Sequence, residues 1–451
     1  MSARTEATSP RTLHLPVLGG GWPVVGHTFR LFKELPKTFR ELQEGPGPLC
    51  WMKIFGLGWV LVYTRRESFD LFMNRITTSA RMADQAEVVI GRTSMVAADG
   101  AAHRHLRKAA SGPFTPRGLT MSGVSATMAE VIEARVEGML RKDELVLLEE
   151  TQRVALDIIF RIMGIPEAQL EAWGEKYTEL LKGVVGPHVD VPPFPYFYAT
   201  RARRWLDERL RAYIQSARSN PEAQGLVAEM VRGRDDEGHG LSDEELLDNL
   251  RLLVLAGHET TASVMAWMAS YMALDPKVHD RVVAEATTTE GLPQAPAEMG
   301  RHPYAEALFR ESLRLHPPVA MQNRQLTAPL EVDGVTVPEG TTVAVPIWLL
   351  SRDPELYPDP DAFDPERWIG RDHKLGPLET AQFGGGPHFC LGYHMAWVEA
   401  VMFVTCLARG LARHGKRLSM AKLPGETAFP LTRPDRGETR ARLVPAGVKR
   451  T

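Results

Sequence analysis

Residues 383–392 read FGGGPHFCLG, and this stretch constrains the fold of the 451-residue chain more than any other. Three glycines and a proline predict an irregular turn, and a helical pattern begins directly afterwards at Tyr393. Cys390 therefore lies just before a helix start, where unsatisfied backbone N–H groups and the helix dipole stabilise a thiolate. The arrangement is typical of a thiolate ligand or a nucleophile, although a lone cysteine is more often inert.

Other chemistries for this cysteine are less well supported. A nucleophile of the protease type needs a base, for which His388 and His394 are candidates. Zinc is weaker still, because no Cys-x-x-Cys spacing is present, and the absence of Cys-x-x-Cys-His excludes covalently attached c-type haem. The three cysteines are too few and too far apart for a disulfide framework.

The composition excludes several classes of protein. Hydrophobic residues make up 44% of the chain, which is too apolar for disorder. The 53 Lys and Arg against 56 Asp and Glu give a formal net charge of -3, which argues against nucleic acid as the main partner. The first residues lack an apolar core of signal-peptide length, and no run of 18 residues is free of polar interruption. We therefore expect neither secretion nor a membrane span.

The pattern along the chain is mostly helical, for example over residues 27–42 and 126–219. Strand signals fall at residues 51–55, 59–63, 330–332, 334–337 and 341–345. The first two are separated by the turn Gly56-Leu57-Gly58 and predict a hairpin. No repeat, low-complexity tract or shift in charge marks a boundary. We predict a mainly α fold with small β-sheets, with a flexible N-terminal tail over residues 1–14 and a single domain over residues 15–451.

The clearest element is a long helix over residues 243–274. Ser242 is a good N-cap, and Glu245 three residues later completes a capping box. No proline interrupts the pattern before Asp275-Pro276, so the helix is predicted to be roughly 48 Å long. Such a helix crosses a whole domain.

The centre of this helix, residues 256–261, reads AGHETT. Gly257 and two adjacent threonines are poor helix formers, and Glu259 lies among apolar neighbours. A sequence that departs from local preference in its best helix indicates a functional site. A packing glycine with threonine hydroxyls bonded back to carbonyls explains the pattern equally well.

Two further motifs are charged. Glu311 and Arg314 are spaced i, i+3 on a helix, where they face the same side and can pair, although a solvated surface pair is the usual outcome. Residues 363–368 read FDPERW, a proline-fixed turn whose Arg367 is able to reach a distant carboxylate.

In order and spacing, these motifs resemble the cytochrome P450 superfamily of haem-thiolate monooxygenases, across effectively the whole chain. The cysteine motif Phe-x-x-Gly-x-x-x-Cys-x-Gly is matched by Phe383, Gly386, Cys390 and Gly392. The long-helix motif Ala/Gly-Gly-x-Asp/Glu-Thr is matched by Ala256, Gly257, Glu259 and Thr260. The Glu-x-x-Arg motif is matched by Glu311 and Arg314, and the Pro-Glu-Arg motif by Pro365, Glu366 and Arg367.

The resemblance implies a P450 fold with the long central helix over a haem. It implies haem b, with Cys390 as the axial thiolate that favours cleavage of the O–O bond. Glu259 and Thr260 resemble the family's acid–alcohol pair, which relays protons and is expected to sit where Gly257 and the threonines loosen the helix. Ala256, Phe383, Gly386 and Gly392 are expected to adjoin the cofactor, and Glu311, Arg314 and Arg367 to form a buried structural triad.

The haem propionates require cationic or hydrogen-bonding partners. The resemblance indicates His103, Arg107 and Arg324 for this role. His388 stands where many members carry arginine, so its charge there depends on pH. His258 is interpreted as a packing residue.

The family comparison also implies partners. The chain resembles soluble, bacterial-type members without a membrane anchor, which indicates a cytoplasmic protein that takes electrons from an external ferredoxin or flavodoxin with its reductase. Arg104, Arg107 and Lys108 are candidates for the docking face. Apolar residues at the family's pocket positions favour a lipophilic substrate, namely a terpenoid, steroid or fatty acid, with macrolide-type products as an alternative. The candidate pocket residues, each of which is equally consistent with simple core packing, are Val89, Val185, Phe194, Val319, Met321 and Phe429.

Three other functions remain as alternatives. A peroxide-driven peroxygenase uses the same thiolate haem, but such members lack the acid–alcohol pair that Glu259 and Thr260 match. A haem isomerase or dehydratase is usually marked by loss of the threonine. A haem-based gas sensor or electron carrier needs neither a pocket nor a proton relay.

Overall fold

The computed structural model describes residues 9–10, 13–45, 47–73, 77–79, 83–184, 188–371, 374–428 and 431–447. The described residues are mainly helical with small sheets, as predicted. The α-helices are α1 Thr28–Lys33, α2 Leu35–Gln43, α3 Asp70–Met73, α4 Ala83–Ile90, α5 Gly100–Ala110, α6 Pro116–Met121, α7 Val124–Leu140, α8 Leu147–Ile162, α9 Leu170–Leu181, α10 Pro195–Ser219, α11 Leu226–Arg232, α12 Asp243–Leu274, α13 Pro276–Thr288, α14 Pro303–Leu315, α15 Ile347–Leu350 and α16 Tyr393–Arg413. The strands are β1 Leu49–Ile54, β2 Gly58–Tyr63, β3 Thr77–Ser79, β4 Glu144–Val146, β5 Gln322–Leu326, β6 Leu330–Val332, β7 Val335–Val337, β8 Thr342–Val345, β9 Lys416–Ser419, β10 Glu426–Ala428, β11 Thr432–Pro434 and β12 Arg440–Pro445.

The backbone contacts divide the chain into two compact units. Unit 1 comprises Met1–Met82, Arg310–Cys390 and Pro424–Glu438, and unit 2 comprises Ala83–Phe309, Leu391–Leu423 and Thr439–Thr451. Each unit therefore combines three segments that are far apart along the chain.

Unit 1 is built on a five-stranded sheet in the order β1-β2-β8-β5-β3. The predicted hairpin is confirmed, with β1 and β2 antiparallel and Ile54 paired with Gly58 across the turn. One side of the sheet packs on a cluster that includes Phe39 and Trp348, whose rings stack at 5.7 Å between centroids. These apolar contacts fix the sheet that carries β5.

Unit 2 is organised around α12, which packs against α8, α10, α13 and α16. The helix spans the 32 residues predicted for it. The capping box is confirmed, because the Ser242 backbone N–H donates to Glu245 Oε2 at 2.8 Å and the Glu245 N–H donates to Ser242 Oγ at 3.3 Å. A fixed start sets the rotational position of every residue along the helix.

Two helix boundaries differ from the sequence prediction. The helix expected over residues 27–42 is divided into α1 and α2 at Glu34. Pro36 has no N–H to donate to the carbonyl four residues earlier, so the first helix ends at Lys33. The helical pattern that begins at Tyr393 predicts an end at Leu407, whereas the helix continues to Arg413.

Among the residues that the structure describes, one segment, Gly386–Arg413, is long and apolar enough to cross a membrane by length and composition. In the structure 78% of its most apolar window is buried. It is therefore accounted for as a core helix.

Candidate functional site

The cysteine loop of unit 1 is held by its own backbone and by close contact with α3. The Cys390 N–H donates to the Phe383 carbonyl at 2.9 Å, and the cysteine side chain is exposed. Gly386 has a φ of +59°, and a Cβ there would lie 2.0 Å from the carbonyl oxygen of Phe72. Only glycine fits this position, because both the backbone conformation and the approach of Phe72 exclude a side chain.

Arg324 lies beside the same phenylalanine. Its guanidinium carbon is 4.8 Å from the centre of the Phe72 ring, and the residue is buried at 5% exposure on β5. His388 is half-buried in the 3₁₀ turn Gly386–His388. Unit 1 thus gathers Arg324 and the cysteine loop around Phe72, which sequence analysis did not single out.

In unit 2, the two members of the acid–alcohol motif each have a partner on the chain. The Thr260 hydroxyl donates to the Ala256 carbonyl at 2.5 Å. The Glu259 carboxylate accepts from Gln152 Nε2, which lies 3.2 Å from Oε1 and 3.3 Å from Oε2. His258 Nδ1 is 3.7 Å from Glu259 Oε1. The acid is therefore directed towards α8.

The expected loosening of α12 is not present. The helix is continuous through the motif, and the threonine back-bond accompanies an unbroken helical backbone. A Cβ at Gly257 would make only an ordinary contact of 3.9 Å with Ile159. The glycine therefore does not interrupt the helix.

The polar residues of helix α5 differ in how far they are exposed to solvent. His103 is buried at 3% exposure and Arg107, one turn later, is half-buried. Arg104 and Lys108 are exposed, and Lys108 pairs with Asp236 at 2.9 Å. The two candidate propionate partners are thus less exposed than Arg104 and Lys108, two of the candidate docking residues.

The Glu311 carboxylate in unit 1 has partners on two segments. Arg314 donates to both oxygens at 2.8 Å, Arg367 Nε donates at 3.1 Å and Trp368 Nε1 donates at 2.8 Å. Glu311 and Arg314 are 0% and 1% exposed, which excludes the surface-pair interpretation. Burial alone would raise the pKa of Glu311, but hydrogen bonds and the charge of Arg314 outweigh burial and hold it below the ordinary value.

The candidate pocket residues differ in exposure. Val89 is 0% exposed and Phe194 is 38% exposed, whereas Val319 and Met321 are half-buried. Val185 and Phe429 lie outside the described residues. Their assignment to a pocket stays a prediction.

The donor set fits a metal held mainly by a macrocycle. Within the described ranges, no group of three or more His, Cys, Asp or Glu residues is arranged to hold a metal ion. Cys390 instead presents a single exposed soft ligand on a loop that glycine holds against α3. One thiolate suffices as an axial ligand when porphyrin nitrogens supply the other positions.

Comparison with known proteins decides the family. The cytochrome P450 family profile matches residues 16–411. The chain belongs to the cytochrome P450 family. It is 37% identical over 400 residues to cytochrome P450 BJ-4 of Bradyrhizobium diazoefficiens, with 89% of each chain covered. It is 28% identical over 446 residues to cyclooctat-9-en-7-ol 5-monooxygenase of Streptomyces melanosporofaciens, with 94% of each covered.

The fold of this P450 agrees with the sequence similarity. The structure of retinoic-acid-bound cyanobacterial CYP120A1 superposes with a TM-score of 0.81 at 25% identity, covering 95% of this chain and 98% of that chain. This P450 is accordingly a monooxygenase of the haem-thiolate class, with the predicted P450 fold. P450 enzymes act with redox partners and substrates.

Two polar partners were missed by sequence reasoning. Trp368 stands in the quoted turn motif, and its indole N–H was available as a signal for a buried acceptor. Gln152 carries no such signal, because it is 107 residues from Glu259 along the chain.

Proposed function

We propose that this P450 inserts one oxygen atom of O2 into a lipophilic isoprenoid, with Cys390 as the axial thiolate of haem b. The exposed Cys390 on its glycine-fitted loop is the observation that carries the proposal. The balanced reaction converts R–H, O2, two electrons and two protons into R–OH and water. The haem, when bound, supplies the activation of O2.

The chain's own residues bind the cofactor and move protons in this proposal. His103, Arg107, Arg324 and His388 hold the propionates through charge and hydrogen bonds. Thr260 and Glu259 pass protons from solvent to the reacting oxygen, which requires the Thr260 hydroxyl to turn from its present bond to Ala256.

The substrate class rests on the relatives and on apolar side chains. One relative is named for cyclooctat-9-en-7-ol, and one similar structure holds retinoic acid. Both compounds are isoprenoids, so we place the substrate among terpenoids, ahead of steroids and fatty acids. Val319 and Met321, which are half-buried, offer hydrocarbon surface without charge, which suits such a molecule.

Electrons are proposed to come from a ferredoxin or flavodoxin with its reductase, in the cytoplasm. The exposed Arg104 on α5 supplies positive charge for docking an acidic partner, and the exposed Lys108 adds to it when an acidic group of the partner replaces Asp236. We also retain the single domain over residues 15–451 as a proposal.

The ferrous–CO spectrum of the purified protein tests the cofactor assignment. Thiolate ligation by Cys390 is expected to give the strongly red-shifted Soret band, and a band at the histidine-ligated position would contradict it. A panel of terpenoids, steroids and fatty acids then tests the substrate, because the correct class displaces the axial water and changes the spin state. A spin change with fatty acids alone would overturn the isoprenoid assignment.

The relay is tested by E259Q and T260A. Both are expected to lower the product formed per electron pair and to raise peroxide release, with an unchanged CO band. Unchanged peroxide release in both variants would contradict the relay and favour the peroxygenase alternative.

A further inference from the structure

One partner of the Glu259 carboxylate is a neutral amide. Gln152 lies on α8 and is half-buried, and its Nε2 contacts both carboxylate oxygens, at 3.2 and 3.3 Å. Only the amide nitrogen donates hydrogen bonds, so an ionised carboxylate fixes which way the amide is turned. Gln152 is therefore the hydrogen-bond donor in this contact, and Glu259 is the acceptor.

The groups around this contact lie on three helices of unit 2. Tyr177 on α9 is buried, and its hydroxyl is 3.5 Å from the Arg251 carbonyl on α12. Burial raises the pKa of Tyr177 well above its usual value, and the negative charge of Glu259 raises it further. His258 Nδ1 is 3.7 Å from the carboxylate. The carboxylate thus lies in a largely enclosed space beside α8 and α9.

The strength of such a partner matters for a group that moves protons. A guanidinium holds a carboxylate through two charge-assisted bonds and keeps it ionised in one position. A neutral amide forms weaker bonds, which orient the carboxylate and still allow it to turn and exchange a proton. Loss of the amide removes two contacts that orient the carboxylate, one to each oxygen.

We propose that Gln152 is a positioning residue for proton delivery, because its amide holds the Glu259 carboxylate in a defined but releasable position beside α8. The inference rests on the relay role proposed for Glu259. Gln152 acts through Glu259 and takes no part in bond making itself. Its loss is therefore expected to matter only while the carboxylate is present.

The test needs no known substrate, since O2 alone reports proton delivery. Holoenzyme reduced by photoexcited deazaflavin converts O2 either to H2O2, with two electrons and two protons, or to two waters, with four electrons and four protons. We expect Q152L to raise the peroxide released per O2 consumed by about two- to tenfold, the range that loss of one hydrogen bond gives. Q152R is expected to raise it too, because a fixed ion pair prevents the carboxylate from turning.

The double variant Q152L/E259Q identifies the route. If Gln152 acts through Glu259, the double variant releases the same share of peroxide as E259Q alone. The thermal midpoints of the wild type, Q152L, E259Q and Q152L/E259Q holoproteins provide a second readout. The changes in midpoint caused by Q152L and E259Q are also expected not to add in the double variant. Q169L is the control, because Gln169 is an exposed glutamine of the same unit whose side chain contacts Trp173.

The outcomes separate this inference from the proposed function. Wild-type peroxide release in Q152L, or effects of Q152L and E259Q that simply add, would overturn the positioning role while the relay stands. Wild-type release in E259Q would remove Glu259 from the relay and overturn the positioning role with it, and wild-type release in T260A as well would overturn the relay itself.

Discussion

Arg314 donates to both oxygens of Glu311 at 2.8 Å, and neither side chain reaches solvent. The guanidinium also donates to the carbonyls of Ser351, Pro360 and Ala362. The pair thereby ties α14 to the segment that carries the FDPERW turn. Each of these partners is a group of unit 1.

Replacing Glu311 by glutamine is expected to lower the free energy of unfolding by about 3–5 kcal/mol, because Arg314 is left as a buried charge without its counter-ion. Urea unfolding followed by circular dichroism measures the change. The control is E179Q, since Lys176 and Glu179 have the same i, i+3 spacing at 2.7 Å but are each 36% exposed. That substitution is expected to cost about 0–1 kcal/mol, and equal losses in both variants would contradict the role of burial.

Gly386→Ala is expected to displace the cysteine loop. The added Cβ would lie 2.0 Å from the Phe72 carbonyl, so the loop or α3 has to move. We expect less thiolate-type CO band per mole of haem and a lower thermal midpoint. Gly415→Ala is a matched control, because Gly415 has the same φ of +59° and nothing within 4 Å of its Cβ position. If both variants lose the band equally, backbone conformation rather than contact with Phe72 is responsible.

Among the three cysteines, only substitution of Cys390 is expected to abolish the thiolate-type CO band. Cys390 is exposed, whereas Cys50 and Cys406 are buried. The pKa of Cys406 is raised to about 12, mainly because the thiol is buried. This thiol therefore stays protonated and binds metal poorly. The spectra of C390A, C50A and C406A decide the matter, and a retained band in C390A would refute the ligand assignment.

Glu399 on α16 is expected to make stability fall as the pH rises. Burial raises its pKa from 4.5 to about 8. Between these values the folded protein holds a proton that the unfolded chain releases, so stability declines with pH by up to about 1.4 kcal/mol per pH unit. E399Q is expected to flatten this decline in urea titrations between pH 5 and 8.

The control for Glu399 is E179Q, which alters a half-exposed carboxylate and is expected to keep the wild-type slope. An E399Q protein with the same slope as the wild type would show that another group binds the proton.

Local sequence rules predicted the elements that depend on neighbours in the chain. The α12 start at Ser242 and its end before Asp275 follow from a capping box and a proline, each acting within one turn. The β1–β2 hairpin follows from a glycine turn between β-branched and aromatic runs. The division at Glu34 was missed, although Pro36 was visible, because the hydrophobic period continues across it.

The contacts that set the chemistry join residues far apart in sequence. Glu259 contacts Gln152, and Gly386 lies against Phe72. The motifs include Glu259 and Gly386, but no sequence pattern marks Gln152 or Phe72 as their partners. Trp368 and Arg367 reach Glu311 from a turn more than 50 residues away along the chain, 57 and 56 residues respectively. Such contacts depend on how helices pack, which short-range periodicity does not specify.

The sequence by itself determined the family motifs, the long helix, the hairpin and the identity of the cysteine that is able to serve as a thiolate ligand, because each depends on spacing within a few residues. Only the tertiary structure decided that Glu311 and Arg314 are buried and that Glu259 is directed to Gln152. An i, i+3 spacing brings two charges together on a helix, but it is the packing of other segments over them that removes water. That removal changes a surface pair of little consequence into one whose loss is costly.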